Sequence, residues 1–222
     1  MPVACVFVPR FALAVESRLR PGLGRGAAVI YDGHSVLEAS AGLSEAYAGQ
    51  PLRQARAIYP SATFLAANPA LYREVAEEML AALEGVAPEV EEGEPGCAYL
   101  DVRGLGGHYT DEAELARHIV QMVREATGLT GAVAIAECKF VARTAALIGV
   151  PGGVSIVPAG SEREFLSDQG VPVLPLDQQL LERLQMLALH TLGDISALPR
   201  AAVEAEFGRT GGRMWELARG GG

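Results

Sequence analysis

Near its start the chain carries an apolar run, Val3 to Val8, rich in β-forming residues and closed by Pro9, which predicts a buried strand. Phe11, Leu13, Ala14, Val15 and Leu19 then follow helical spacing, so a helix lies against that strand. Ala27 to Tyr31 and Ser35 to Ala39 are apolar runs parted by Asp32-Gly33-His34, and the Asp-Gly pair marks a hairpin. A short helix from Pro51 to Tyr59, stopped by Pro60, and a strand from Thr63 to Ala66 follow. Asn68 caps a long amphipathic helix beginning near Pro69, with Leu71, Val75, Met79, Ala82 and Leu83 on one face and glutamates on the other.

After Pro88 the pattern predicts two strands, Glu89 to Glu92 and Cys97 to Val102, joined by Gly93-Glu94-Pro95-Gly96. Asp111 to Thr127 reads as a helix with Leu115, Ile119, Met122 and Val123 inward, Gly131 to Ala136 as a strand, Phe140 to Ile148 as a helix and Val154 to Val157 as the last strand. This alternation predicts an α+β layer with helices on one side of a mixed sheet. From Asp177 onward the pattern is purely helical, so the Gly- and Pro-punctuated stretch Pro158 to Pro175 is the expected boundary.

Composition narrows the class. With 222 residues, half of them hydrophobic, the chain buries a proper core and is not a disordered tail. The net charge of −9 argues against a nucleic-acid binder, yet Glu74 to Glu94 alone holds eight glutamates and no Lys or Arg. The first 26 residues are the most basic region, with Arg10, Arg18, Arg20 and Arg25 against Glu16. Cys5, Cys97 and Cys138 lack metal-like spacing and no leader pattern opens the chain, so a cytoplasmic location is expected. No apolar run approaches the roughly 18 residues of a membrane span, so no membrane partner is expected. His34, His108, His118 and His190 are scattered and read as local hydrogen-bonding residues.

Several strings then stand in a recognisable order: Phe11 to Glu16 (FALAVE), Gly49-Gln50-Pro51 with Gln54 to Pro60 (QARAIYP), Tyr99-Leu100-Asp101-Val102, Lys139-Phe140-Val141-Ala142-Arg143, and Phe207-Gly208 with Leu217 to Gly220. In this order the chain resembles the Y-family (translesion) DNA polymerases. The resemblance implies a palm in two parts (1–25 and 67–160), a fingers insertion (26–66) and a helix-hairpin-helix thumb (161–222), with the family's fourth, little-finger domain absent.

Departures from the family pattern bear on chemistry. The two family Asp of the first motif fall on Phe7 and Pro9, and the Asp-Glu pair of the second falls on Gly96 and Cys97. Two-metal nucleotidyl transfer needs clustered carboxylates, and a thiol is a poor ligand for hard Mg²⁺. The steric-gate aromatic aligns with Ala12, the triphosphate-clasping Tyr and Arg fall in Glu38 to Ser44, which has no Tyr, Arg or Lys, and the triphosphate Lys aligns with Val150. The expectation is therefore no catalytic residue, no metal ligand and no cofactor, in a pseudo-polymerase similar to the ImuB group. Glu16, Glu94 and Asp101 are the carboxylates from which a rearranged metal site, with Mg²⁺, would be built if the chain were an active polymerase after all.

Residual DNA binding is expected at Lys139 and Arg143, an i, i+4 pair, and in the thumb. There Leu187 to Asp194 resembles the family's L-G-I-x-T-x-G-D, with Ala188 in place of Gly and with His190 and Thr191 at the turn, while Arg209, Thr210, Gly211, Gly212 and Arg213 form a basic, Gly-rich cluster. Trp215 is expected in the thumb core. The expected partner is primer-template DNA, bound weakly; the resemblance also implies a sliding clamp, a RecA-like accessory protein and an error-prone replicative-type polymerase. A pure protein-interaction module is the reading that the charge of −9 favours.

Overall fold

The computed structural model describes every residue except 1, 21, 24, 25, 108 and 222, so Arg25 and His108 lie outside the described residues. In chain order the elements are β1 (Val3–Phe7), α1 (Phe11–Leu19), β2 (Ala28–Asp32), β3 (Ser35–Ala39), α2 (Leu52–Ile58), β4 (Thr63–Ala66), α3 (Pro69–Glu84), β5 (Val90–Glu92) and β6 (Cys97–Asp101). Then come α4 (Glu112–Thr127), β7 (Ala132–Ala136), α5 (Lys139–Ile148), β8 (Val154–Ile156), α6 (Glu162–Ser167), α7 (Gln178–Met186), α8 (Leu192–Ala197) and α9 (Arg200–Ala218). Helix starts follow the caps read from the sequence: Asn68 Oδ1 accepts from the Leu71 N–H at 3.3 Å, and Asp111 Oδ1 from the Glu114 N–H at 2.7 Å.

One five-stranded sheet runs β5-β6-β1-β7-β8, antiparallel except for the β7–β8 pair, and a three-stranded sheet runs β3-β2-β4. The smaller sheet is inserted between α1 and α3 and keeps its own small core of Val29, Val36, Leu43 and Ala55. Within that unit the Gln50 side chain is buried with neither its amide nitrogen nor its oxygen hydrogen-bonded to another described residue.

Alternation along β1 assigns each face of the larger sheet. Ala4 and Val6 join Val75, Met79 and Leu83 of α3 and Ile119 and Val123 of α4 in one core. Cys5 joins Ala134, Ala136 and the α5 residues Val141, Ala142 and Ala145 in the other, which extends to Leu184, Leu192, Ile195, Met214 and Leu217. Helices therefore cover both faces, which corrects the one-sided arrangement expected from the sequence. The reason is visible in β7, whose sequence AVAIA is buried at all five positions and leaves no face for water.

The stretch expected as a boundary also differs. Pro158 to Pro175 contains α6 and a 3₁₀ turn over Val171–Val173, and Leu166, Val171, Val173 and Leu174 are buried in the second core. Its Gly and Pro residues punctuate a packed segment and not a bare linker. The acidic helix behaves as read: Glu74, Glu77, Glu78 and Glu84 of α3 are exposed. Among the described residues no helix is long and apolar enough to cross a membrane.

Candidate functional site

Antiparallel pairing of β1 with β6 sets Phe7 directly opposite Cys97, so the positions singled out in the sequence do converge. What converges is apolar. Cys97 and Cys5 are buried with their Sγ atoms 3.7 Å apart. The hydrogen bond between the thiols, helped by the Tyr99 hydroxyl, pulls Cys97 below its ordinary range against the effect of burial. The same bond, together with burial, pushes Cys5 well up.

Just before Cys97, Gly96 occupies the left-handed region at φ 82° and its carbonyl accepts from the Val8 N–H at 2.8 Å. A Cβ built there would stand 2.8 Å from the Cβ and Cδ2 of Phe11, closer than real contacts allow. A side chain at this position is thus excluded twice, by backbone conformation and by the Phe11 ring.

Nearby carboxylates are committed elsewhere. Glu16 is buried, where it accepts from the Tyr72 hydroxyl at 3.1 Å and pairs with Arg20. Burial first, and then this bond to Glu16, hold the Tyr72 hydroxyl up at about 12. Asp101 is bound by the Arg103 guanidinium and accepts from the Arg103 backbone N–H at 2.9 Å. Glu94 Oε1 accepts from Arg143 Nε at 3.1 Å. Among the described residues no three His, Cys, Asp or Glu side chains gather as a metal would require. A pair of Mg²⁺ ions does not fit Phe7, Gly96 and Cys97, which offer a ring, a hydrogen and a buried thiol.

The neighbouring helix start is also filled. Glu38 on β3 reaches across to α1, where its carboxylate accepts from the Leu13 N–H at 2.9 Å and the Ala12 N–H at 3.3 Å. These N–H groups are the orphan donors through which a helix start attracts anions, and here the chain supplies its own anion. Pro9 lies in the turn ahead of α1, Ala12 is buried and Val150 is 72% exposed, so no cation approaches from those positions.

The expected DNA-binding cations divide into groups. Lys139, Arg143 and Arg213 line one cleft of about 670 Å³ between α5 and α9, with Tyr99, Phe140 and Leu217 as its apolar walls. Each is paired with a carboxylate: Lys139 with Glu91, Arg143 with Glu94, and Arg213 with Glu216 at 3.7 Å. Ala188, His190 and Thr191 form the α7–α8 turn and are not part of this cleft. Ala188 takes the left-handed conformation at φ 56°. The N–H groups of His190 and Thr191 donate to Asp194 at 2.9 and 2.8 Å, and Thr191 caps α8. Those backbone bonds, Thr191's first, hold Asp194 below its ordinary range.

Arg209 and Thr210 are exposed just after Gly208, whose non-helical φ 62° and ψ −145° break α9. Gly211 is buried, and a Cβ on it would meet the Val203 carbonyl oxygen at 2.3 Å, so its smallness serves helix packing. Trp215 is half-buried and its indole N–H donates to the Leu198 carbonyl at 2.9 Å. Sequence reasoning missed Glu38, Glu91 and Glu94 as partners of the site. For Glu91 and Glu94 the density of glutamate before Cys97 was a signal, while for Glu38 none was present.

Residues 6–146 match the impB/mucB/samB family model. Among curated relatives, DNA polymerase IV of Dehalococcoides mccartyi is 31% identical over 163 residues, covering 73% of this chain and 42% of the relative. DNA polymerase IV of Methanoculleus marisnigri is 33% identical over 175 residues, covering 78% and 48%. Among solved structures, DinB from Sulfolobus solfataricus superposes with a TM-score of 0.86 at 26% identity over 99% of this chain and 67% of that one. The chain spans about half the length of the curated relatives it matches.

Proposed function

Since this chain belongs to the impB/mucB/samB family of Y-family DNA polymerases, we propose that it is a catalytically inactive member, ImuB-like in character, that engages primer-template DNA weakly as a scaffold in damage tolerance. The observation that carries the reading is Gly96, which stands at a family carboxylate position with φ 82° and offers no side chain. Phe7 and Cys97 across the strand pair, and Glu38 on the α1 N–H groups, support it in the same direction.

In this reading 1–25 and 67–160 make the palm, 26–66 the fingers and 161–222 a thumb. The residues offered to DNA are Lys139, Arg143 and Arg213 in the cleft, Arg209 and Thr210 on α9, and the Ala188–Thr191 turn. Weak binding follows from the ion pairs: a phosphate must displace Glu91, Glu94 or Glu216 before it meets a cation of the cleft. A sliding clamp, a RecA-like accessory protein and a replicative-type polymerase are the protein partners this reading implies.

The test is primer extension with Mg²⁺ or Mn²⁺ alongside titration of labelled primer-template at low salt. No incorporation with measurable, salt-sensitive binding is expected. Incorporation abolished by Asp101→Ala or Glu94→Ala would overturn inactivity. Binding that is absent at low salt would leave only a protein-interaction module.

A further inference from the structure

Away from the cleft just described, the inserted three-stranded unit carries a second basic feature. The Asp32-Gly33-His34 turn is stapled to the start of α2, for the Leu52 N–H donates to the His34 carbonyl at 2.8 Å and Ser35 bridges Pro51. Arg53 and Arg56, spaced i and i+3 on α2, therefore rise on the same side as His34. With Pro51 and Leu52 these three side chains line a pocket of about 280 Å³.

Its charge sets this pocket apart. The two larger clefts mix cations with Glu84, Glu89, Glu91, Glu92, Glu94, Glu137 and Asp101, whereas no carboxylate lines this one. Asp32, Glu38 and Glu45, the carboxylates of 26–66, all stand outside it, and Glu38 is bound to α1. Arg53 and Arg56 form no ion pair among the described residues, whereas Lys139, Arg143 and Arg213 of the α5–α9 cleft all do. Arg56 is also pre-positioned: its guanidinium lies 4.7 Å from the centroid of the Phe64 ring and 5.8 Å from that of Tyr31. These ring contacts hold the Arg56 side chain beside the pocket that it lines.

We propose that His34, Arg53 and Arg56 form a phosphoryl-binding site on the inserted unit, which takes a backbone phosphate of a single DNA strand without reading its bases. Two guanidinium groups facing one small pocket without a counter-ion repel each other, and a bound oxyanion relieves that repulsion while accepting charge-assisted hydrogen bonds. The volume accommodates one phosphate group with its ester oxygens. Arg56 covers one face of each of the two rings beside the pocket, Tyr31 and Phe64. The site is independent of the α5–α9 cleft and can stand if that cleft binds nothing.

The test follows the arginine Nε–Hε NMR signals of the ¹⁵N-labelled chain during titration with an eight-residue oligothymidylate and, separately, with inorganic phosphate, in low-salt buffer. Saturable shifts of the Arg53 and Arg56 signals with the oligonucleotide, at lower concentration than with phosphate, are expected. Arg53→Glu, an exposed change whose folding is checked by circular dichroism, should abolish the Arg56 shift. Arg53→Ala should lower the salt slope of oligonucleotide binding by about one unit. Arg53→Lys should restore most of it. Stationary Arg53 and Arg56 signals, an unchanged salt slope, or shifts with phosphate but not with the strand would overturn the proposal. Arg143→Ala with Arg213→Ala should leave these shifts in place, which separates this site from the cleft.

Discussion

The carboxylate of Glu38 accepts a hydrogen bond from the backbone N–H of Leu13 at 2.9 Å, tying the inserted sheet to the first turn of α1. It also accepts from Ala12, so two of the free donors of that helix start are satisfied by one distant side chain. Glu38→Ala should cost about 1 kcal/mol of stability in urea denaturation, the scale of a lost helix cap. Glu38→Gln, which keeps an acceptor but loses the charge, should cost less. Equal stability of Glu38→Ala and the parent chain would refute this role.

Gly96 and Phe11 make a second long-range relationship with a measurable consequence. Gly96→Asp places a Cβ against the Phe11 ring and a non-glycine residue at φ 82°, and should destabilise the chain by about 2–4 kcal/mol. The triple change Phe7→Asp, Gly96→Asp and Cys97→Glu should accordingly show no nucleotide incorporation. A stable, active triple variant would show that room for the carboxylates exists.

The ion pairs Lys139–Glu91 and Arg143–Glu94 hold two cleft cations away from an incoming phosphate. Glu91→Gln with Glu94→Gln should therefore tighten primer-template binding and steepen its salt dependence by up to about two units, one for each cation released. Fluorescence anisotropy at several salt concentrations measures both quantities. Because Lys139–Glu91 is largely exposed and Glu94 is itself exposed beside a half-buried Arg143, thermal stability should change only modestly.

The Arg103 guanidinium, with the Arg103 N–H, holds the Asp101 carboxyl at about 2, below its ordinary 3.8. A carboxyl lowered in the folded state favours folding above its ordinary value, and that contribution disappears as pH falls through about 2. In Arg103→Ala the Asp101 value followed by NMR should rise toward the ordinary range, and it should remain somewhat below because the backbone N–H still donates. An unchanged value would mean that the side chain contributes nothing.

Much of the secondary structure was determined by the sequence alone, because the signals are local. Pro9 and Pro60 end their elements, Asp32-Gly33 turns the hairpin, Asn68 and Asp111 cap helices, and apolar spacing marks the inward faces. The family motifs were legible for the same reason, as short strings in order, and so was the absence of carboxylates at Phe7, Gly96 and Cys97. Which faces were covered was less legible: the uninterrupted apolar run of β7 signalled a doubly buried strand, yet only packing placed α5 on the second face.

Tertiary structure alone decided what the site became. The pairing of β1 with β6 set Phe7 against Cys97, the fold brought Phe11 onto Gly96, and Glu38 came to rest on α1. The chain-distant pairs Lys139–Glu91 and Arg143–Glu94 turned expected phosphate contacts into internal ion pairs. Periodicity specifies how a residue is oriented within its own element, whereas these contacts depend on strand register and on how separate elements pack. No local pattern encodes either.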